Sequence, residues 1–211
     1  MPTPTTLALF AVAAWTLLII PGPAVLYIVA RGINQGRRAA LVSALGVQVG
    51  ALFHVAAATV GVSAILLSSA VAFTLVKYAG AAYLIYLGAR TLLSRQDAHQ
   101  TLDAAPRALK RVFAQGVVVN LLNPKTALFF FAFLPQFVDP DRGGVAGQTL
   151  LLGGLFIAIA TCSDGLYALL AGTAGGWLKR NTGFLRAQRY VAGGIYIALG
   201  LTTALAGSEK K

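Results

Sequence analysis

The stretch VFAQGVVVNLLNPKTALFFFAFLPQFV, residues 112–138, decides the fold prediction. It is long and apolar enough to cross a bilayer, which takes about 20 residues, yet Asn123-Pro124-Lys125 lies in its middle. Proline lacks an N–H and clashes with the carbonyl one turn back, whereas Asn followed by Pro is a common helix start. We therefore predict two half-helices, 112–122 and 124–138, which meet near the membrane centre with Lys125 in the first turn of the second. The alternative is a kinked helix whose lysine extends to a membrane interface.

The composition indicates a polytopic membrane protein with a single transmembrane domain. Of 211 residues, 57% are hydrophobic and 11% charged, and the mean hydropathy is +0.75, which is typical of membrane bundles. A net charge of +11 would suggest nucleic-acid binding in a soluble protein, but the bases occupy short loops between apolar spans, where they determine topology instead. One cysteine excludes an internal disulfide, and two histidines are too few for a metal site on their own.

The apolar pattern predicts an all-α membrane protein of six spans. They cover residues 6–30, 39–62, 70–93, 112–138, 147–174 and 187–206. The first apolar run lacks a small-residue cleavage site, so we expect it to be retained rather than removed as a signal peptide. The longest polar segment, 94–111, is predicted to be a loop. The first span contains a second break at Pro21-Gly22-Pro23, where two prolines cannot fit a regular helix.

The chain contains a weak internal repeat. Lys77–Gly88 aligns with Arg189–Gly200 at matching Tyr, Ile, Leu and Gly positions, and the two helix breaks are separated by a similar distance along the sequence. We therefore divide the single domain, residues 1–211, into a first repeat of about 6–93, a cytoplasmic loop of about 94–111 and a second repeat of about 112–206.

The distribution of bases predicts the orientation of these repeats. The N-terminal segment and the loops after the second and fourth spans hold one base between them, Arg142, whereas the other three loops are rich in Arg and Lys. The positive-inside rule thus places both termini outside the cytoplasm. Because each repeat has three spans, the second must be inverted relative to the first, an arrangement that recurs with broken helices in transporters.

Inverted repeats would bring two half-helix starts, at Ala24 and Pro124, to the membrane midplane. Each start exposes unpaired N–H groups and the positive end of a helix dipole, so together with Lys125 they predict a site for an anion such as a carboxylate. Asp164 is the only one of six acids well inside a span, and it could balance Lys125, bind a substrate amino group or carry a proton. Gln48 and His54 either bond neighbouring helices or belong to the pathway.

The chain resembles the LysE-type amino-acid exporters, especially the threonine/homoserine exporter branch. The matching motifs are Pro21-Gly22-Pro23, Gly36-Arg37-Arg38-Ala39, the glycines and histidine of Gly46…Gly50…His54, Lys77–Tyr83, Gln115-Gly116, Asn120–Lys125 and Phe133–Phe137. Some members of that family carry an acid where this chain has Ala51. The resemblance implies a multi-pass protein of the bacterial inner membrane that exports amino acids or related metabolites and is driven by the proton gradient.

Two sets of site residues follow from the sequence and the resemblance. The expected substrate-binding residues are Pro21, Gly22, Pro23, Gln48, Asn120, Asn123, Pro124 and Lys125. The expected proton-coupling or pathway residues are His54 and Asp164. The expected partners are a small amino acid or analogue, protons and the lipid bilayer, with no cofactor, metal or nucleic acid; a homo-oligomer is compatible with the sequence. An uncoupled facilitator and a membrane accessory subunit are the alternatives, whereas an enzyme would usually show clustered acids or a nucleophile beside a base.

Overall fold

In the computed structural model, every regular element among the described residues is helical. The structure describes residues 1–19, 21–68 and 107–180, with single positions between 75 and 93 and between 190 and 204. The predicted third and sixth spans, the internal repeat within them and most of the 94–111 loop therefore lie largely outside the described residues.

Six α-helices account for most of the described chain. They are α1 (Pro4–Ile19), α2 (Pro23–Gln35), α3 (Arg37–Ser68), α4 (Leu109–Leu121), α5 (Pro124–Leu128) and α6 (Val145–Arg180). After α5 the chain continues as a π-helix (Phe129–Phe133) and a 3₁₀-helix (Leu134–Phe137), and a further 3₁₀ turn covers Pro140–Arg142.

Two continuous helices are long and apolar enough to cross a membrane, within α3 (Arg37–Gly61) and α6 (Val145–Ala171). Two bent pairs meet the same criterion when each pair is taken as one span. The first joins α1 to α2 with a bend of 50°, and the second joins α4 to Pro124–Phe137 with a bend of 46°. Both breaks predicted from the prolines are therefore confirmed, and the described residues contain two to four candidate spans.

The second half of the fourth span departs from the regular helix expected for 124–138. Its α-helical part ends at Leu128, and the N–H of Leu134 bonds to the carbonyl of Phe129, five residues earlier. The next residue, Pro135, has no N–H to donate to the carbonyl four residues before it, so an α-helical register cannot continue through that position. π-helical turns of this kind are rare and occur often at functional sites.

The first and fourth spans run in opposite directions. The amino group of Met1 donates to the carbonyl of Arg142, at the far end of the fourth span. At the other end, Gln35 Nε2 donates to the carbonyl of Arg107 over 2.6 Å, just before α4 begins. Each contact also joins two segments that the charge pattern assigned to the same side of the membrane.

Helices α3 and α6 are antiparallel to each other as well. Val55 contacts Gly153, whereas Gln48, earlier in α3, contacts Asp164, later in α6. These two helices pack against each other and against the helices of both broken spans. They therefore support both breaks.

Close approach of α3 to α4 depends on glycine. A Cβ on Gly46 would lie 2.2 Å from the carbonyl oxygen of Phe113, and a Cβ on Gly116 would lie 2.6 Å from that of Ser43. Small residues permit such backbone contact between membrane helices. The close crossing brings the end of α4, and with it the fourth-span break, against α3.

An aromatic cluster packs between α1, the π-helix and α6. Phe129 is its centre, with ring centroids 5.6 Å from Phe10, 5.2 Å from Phe133 and 4.6 Å from Phe156. All four side chains are buried. The π-helical register thus coincides with the most aromatic part of the core.

Candidate functional site

A small cavity lies between the two helix breaks. Its lining comes from the first break (Leu17, Leu18, Gly22, Ala24, Val25), the second break (Asn120, Asn123, Lys125, Thr126), α3 (Val47, Gln48, Ala51) and α6 (Phe156, Ala160, Asp164). Its volume is about 30 Å³, which is room for one or two water molecules. The site therefore has little free space between its side chains in this conformation.

Asn123 caps the helix that begins at the second break. Its Oδ1 accepts from the backbone N–H of Lys125 at 3.1 Å, and Pro124 occupies the first helical position. The capping role expected of an Asn-Pro pair is confirmed. This bond also occupies the backbone N–H of Lys125, which we expected to bind an anion. Fewer backbone donors at this helix start are therefore available to a ligand.

Asn120 holds the two sides of the same break together. Its Nδ2 donates to the carbonyl of Val47 over 2.7 Å, and its Oδ1 accepts from the hydroxyl of Thr126 at 2.9 Å and from Asn123 Nδ2 at 3.3 Å. The side chain is 2% exposed, and both its oxygen and its nitrogen are hydrogen-bonded. These contacts fix the geometry of the break, because the amide of Asn120 links the end of α4 to α5 and to α3.

The first break has a different helix start. Gly22 precedes α2 and offers no side-chain cap, and Pro23 stands at the first helical position. Gly22, Ala24 and Val25 all line the cavity. The first N–H groups of a helix have no partner within it, so the start of this 13-residue helix, which lacks a side-chain cap, brings the positive end of a helix dipole to the edge of the cavity.

Pro23 and Pro124 each leave one carbonyl without the N–H four residues later, and a side chain from another helix bonds to that carbonyl. The carbonyl of Ile19 would bond to residue 23, which is a proline, and it accepts instead from the Tyr167 hydroxyl of α6 at 2.6 Å. The carbonyl of Asn120 would bond to residue 124, also a proline; it accepts from the backbone N–H of Asn123 at 3.0 Å and lies 2.9 Å from His54 Nε2 of α3. Since a carbonyl only accepts, His54 carries a proton on Nε2 in this contact.

Lys125 and Asp164 place opposite charges at the cavity. Both side chains are buried, at 6% and 3% exposure, and their charges interact. Within the described ranges, the one side-chain ion pair closer than 4.0 Å joins Arg142 to Asp139. Lys125 and Asp164 thus line one buried cavity, and the lysine lies inside the bundle.

Asp164 is held by Gln48. The Gln48 Nε2 donates to Asp164 Oδ2 over 2.8 Å, joining α3 to α6 across 116 positions of sequence. Ala51, one turn further along α3, also lines the cavity. An acid at that position would face the same space as Asp164.

The sequence-predicted residues divide into two groups. Six of them line the cavity: Gly22, Gln48, Asn120, Asn123, Lys125 and Asp164. The prolines at 21, 23 and 124 and His54 are absent from its lining. The prolines act by breaking the helices, and His54 bonds to one of the carbonyls they leave.

Several residues of the region were not predicted from the sequence. Thr126, Phe156 and Tyr167 belong to no motif that marks them in the sequence. A proline leaves the carbonyl four residues earlier without its helical N–H, so the sequence does indicate that side-chain donors such as Tyr167 and His54 are needed at the breaks. Arg31 follows the predicted first span, 6–30, where a loop was expected, yet it is 3% exposed. Its guanidinium donates to Gln35 Oε1 at 3.0 Å and to Gln115 Oε1 at 3.4 Å, which joins the end of α2 to α4.

Comparison with known proteins identifies a family and several relatives of this chain. The family model described as LysE type translocator matches residues 15–207. The homoserine/homoserine lactone efflux protein of Salmonella typhi is 34% identical over 165 residues, 77% of this chain and 79% of that protein. The leucine efflux protein of Enterobacter sp. (strain 638) is 31% identical over 146 residues, 68% of each chain.

A third relative covers nearly all of the chain. The uncharacterized membrane protein YrhP of Bacillus subtilis is 30% identical over 208 residues, 94% of this chain and 98% of that protein. No solved structure matches. The protein is a transporter of the bacterial inner membrane rather than an enzyme, with several membrane spans. Because the family model spans almost the whole sequence, the chain belongs to the LysE type translocator family.

Proposed function

We propose that this protein exports small amino acids or related metabolites as a proton-coupled antiporter. The observation that carries the proposal is the buried cavity at two helix breaks, to which Lys125 and Asp164 contribute opposite charges. Opposite charges at one buried site suit a zwitterion, because each charged end of the substrate loses water on binding and gains an opposite charge of the protein in its place. The efflux functions named for two relatives support the same substrate class.

The carboxylate of the substrate binds at the lysine side of the cavity. Lys125 supplies the charge, and the uncapped start of α2 supplies backbone N–H groups at Ala24 and Val25. Gly22 lies beside them, and Asn120 and Asn123 hold Lys125 in place through the second break. In this role the prolines create the helix start and do not themselves contact the substrate.

Asp164 carries the coupling proton in this proposal. It is buried, lines the cavity and lies where a substrate ammonium would bind. A proton and an ammonium both neutralise a carboxylate, so one excludes the other. Release of the amino acid outside would let Asp164 take up a proton, and loss of that proton inside would restore the site for the next substrate.

The cavity must enlarge during transport. Its volume of about 30 Å³ holds one or two waters, fewer atoms than any amino acid contains. We assign the opening to movement of the two broken spans against α3 and α6, within six spans arranged as two inverted repeats in one domain, 1–211. The opposite directions of the first and fourth spans and of α3 and α6 support this arrangement.

Export from loaded cells or proteoliposomes tests the coupling. Cells that express the protein should release L-homoserine or L-leucine faster than cells without it, and a protonophore should abolish the difference. Release that continues unchanged with the protonophore, at equal protein in the membrane, would identify an uncoupled facilitator.

Lys125→Gln tests how the substrate carboxylate is recognised. A charge-assisted hydrogen bond contributes roughly 1.5–3 kcal/mol, so its loss should weaken binding about tenfold or more. Homoserine and homoserine lactone form a matched pair because the lactone has no free carboxylate. Gln at position 125 should penalise homoserine more than the lactone, and Lys125→Arg should retain partial activity because it keeps the charge. Equal losses for both compounds would mean that Lys125 only stabilises the bundle.

A further inference from the structure

The amide of Gln48 has one bonded end and one unbonded end. Its Nε2 donates to Asp164 Oδ2 over 2.8 Å, and a carboxylate can only accept, so the nitrogen must face it. Oε1 is then left over. Among the described residues it is the one buried side-chain acceptor without a hydrogen-bond partner.

The other amide side chains of the cavity do not share this property. Asn120 and Asn123 each use both their oxygen and their nitrogen, in bonds to Val47, Thr126, Lys125 and one another. A buried acceptor without a donor is costly, and it is rare in proteins unless a group from outside completes it. Gln48 lines the cavity, which is where such a group would come from.

We propose that Gln48 Oε1 and Asp164 together bind the ammonium group of the substrate, each accepting one N–H. This inference rests on the proposed function, and it defines the accepted substrates more narrowly. Two acceptors require a cation with at least two N–H bonds, which means a primary or secondary ammonium. Tertiary and quaternary ammonium compounds would leave one or both acceptors unsatisfied.

The rest of the cavity supports this assignment. Lys125 cannot accept a hydrogen bond, and the hydroxyl of Thr126, which donates to Asn120, is neutral and attracts an ammonium less than the Asp164 carboxylate does. Leu17, Phe156 and Ala160 are apolar walls. A substrate ammonium therefore finds side-chain acceptors at the Gln48–Asp164 pair, on the part of the lining formed by α3 and α6.

An N-methylation series provides the test. The parent compounds are L-leucine and L-homoserine, each with its N-methyl, N,N-dimethyl and N,N,N-trimethyl derivatives, used to compete with the radiolabelled parent for the detergent-solubilised protein. In the zwitterion these carry three, two, one and no N–H bonds. Wild-type affinity should fall about tenfold or more between the monomethyl and dimethyl compounds, where the second N–H is lost.

Gln48→Met keeps the length of the side chain and removes the amide oxygen. It should weaken binding of every member, because Asp164 loses its donor, but the monomethyl and dimethyl compounds should become nearly equal. Gln48→Leu is a second variant of the same kind. Leu52→Ala is the control, since Leu52 lies one turn away on α3 with 54% of its surface exposed, and it should leave the wild-type series unchanged.

The outcomes separate this inference from the proposed function. A wild-type protein that binds and exports the parents without a fall at the dimethyl compound refutes the inference alone. A fall that persists unchanged in both Gln48 variants also refutes it, because methyl bulk would then be the cause. A wild-type protein that neither binds nor exports the parents refutes both.

Discussion

Gly46→Ala should destabilise the protein by forcing α3 away from α4. The new Cβ would lie 2.2 Å from the Phe113 carbonyl oxygen, whereas ordinary contact begins at 3.4 Å, so the helices must separate by about 1 Å. The clashing atom belongs to the backbone, which cannot rotate aside as a side chain could. Overpacking of this kind costs about 1–3 kcal/mol, and transport should fall as well, because Asn120 bonds to Val47 beside the crossing.

Thermal unfolding in detergent measures the effect, and Gly61→Ala is the matched control. Gly61 lies on the same helix, and a methyl group added there would have nothing within 4 Å, so alanine should be neutral or stabilising by up to about 1 kcal/mol. At about 2–4 °C per kcal/mol for a chain of this length, Gly46→Ala should melt several degrees below Gly61→Ala. Equal melting temperatures for the two variants would refute the close crossing.

Three further changes test other parts of the structure. Asp164→Asn should impair proton-coupled export while leaving most of the protein inserted; normal coupled export by a well-expressed variant would exclude an essential proton carrier. Tyr167→Phe should lower stability by about 0.5–1.5 kcal/mol, the value of one hydrogen bond, in the same unfolding assay, and an unchanged melting temperature would contradict the bond to Ile19. A periplasmic reporter fused after Ala206 should be active, and an inactive, cytoplasmic fusion would refute the predicted topology or remove one of its six spans.

The sequence was sufficient for features that depend on local chemistry. Proline interrupts a helix wherever it lies in the interior, so both breaks could be placed from the sequence, as could the cap at Asn123. The membrane location and the transporter family also followed from composition and motifs. Asp164 stood out because a carboxylate in an apolar span is costly and needs a partner.

Features that depend on distant contacts could not be predicted in this way. Bonds from Gln48 and His54 to neighbouring helices were one of two interpretations of the sequence, but their actual partners lie 116 and 66 positions away. The burial of Arg31 depends on glutamines from α2 and α4 that meet only in the folded bundle. The π-helix depends on Pro135 and on the aromatic packing around Phe129, which a regular apolar pattern does not reveal.

The side chains that complete the two proline breaks make the halves of the chain mutually dependent. The N-terminal half contributes His54 to the carbonyl of Asn120, and the C-terminal half contributes Tyr167 to the carbonyl of Ile19. Each half thus gives the broken helix of the other half a side-chain hydrogen bond, and lipid offers no substitute for it. Residues 1–93 and 107–211 made as separate chains should therefore be degraded when alone and recover stability and export when made together.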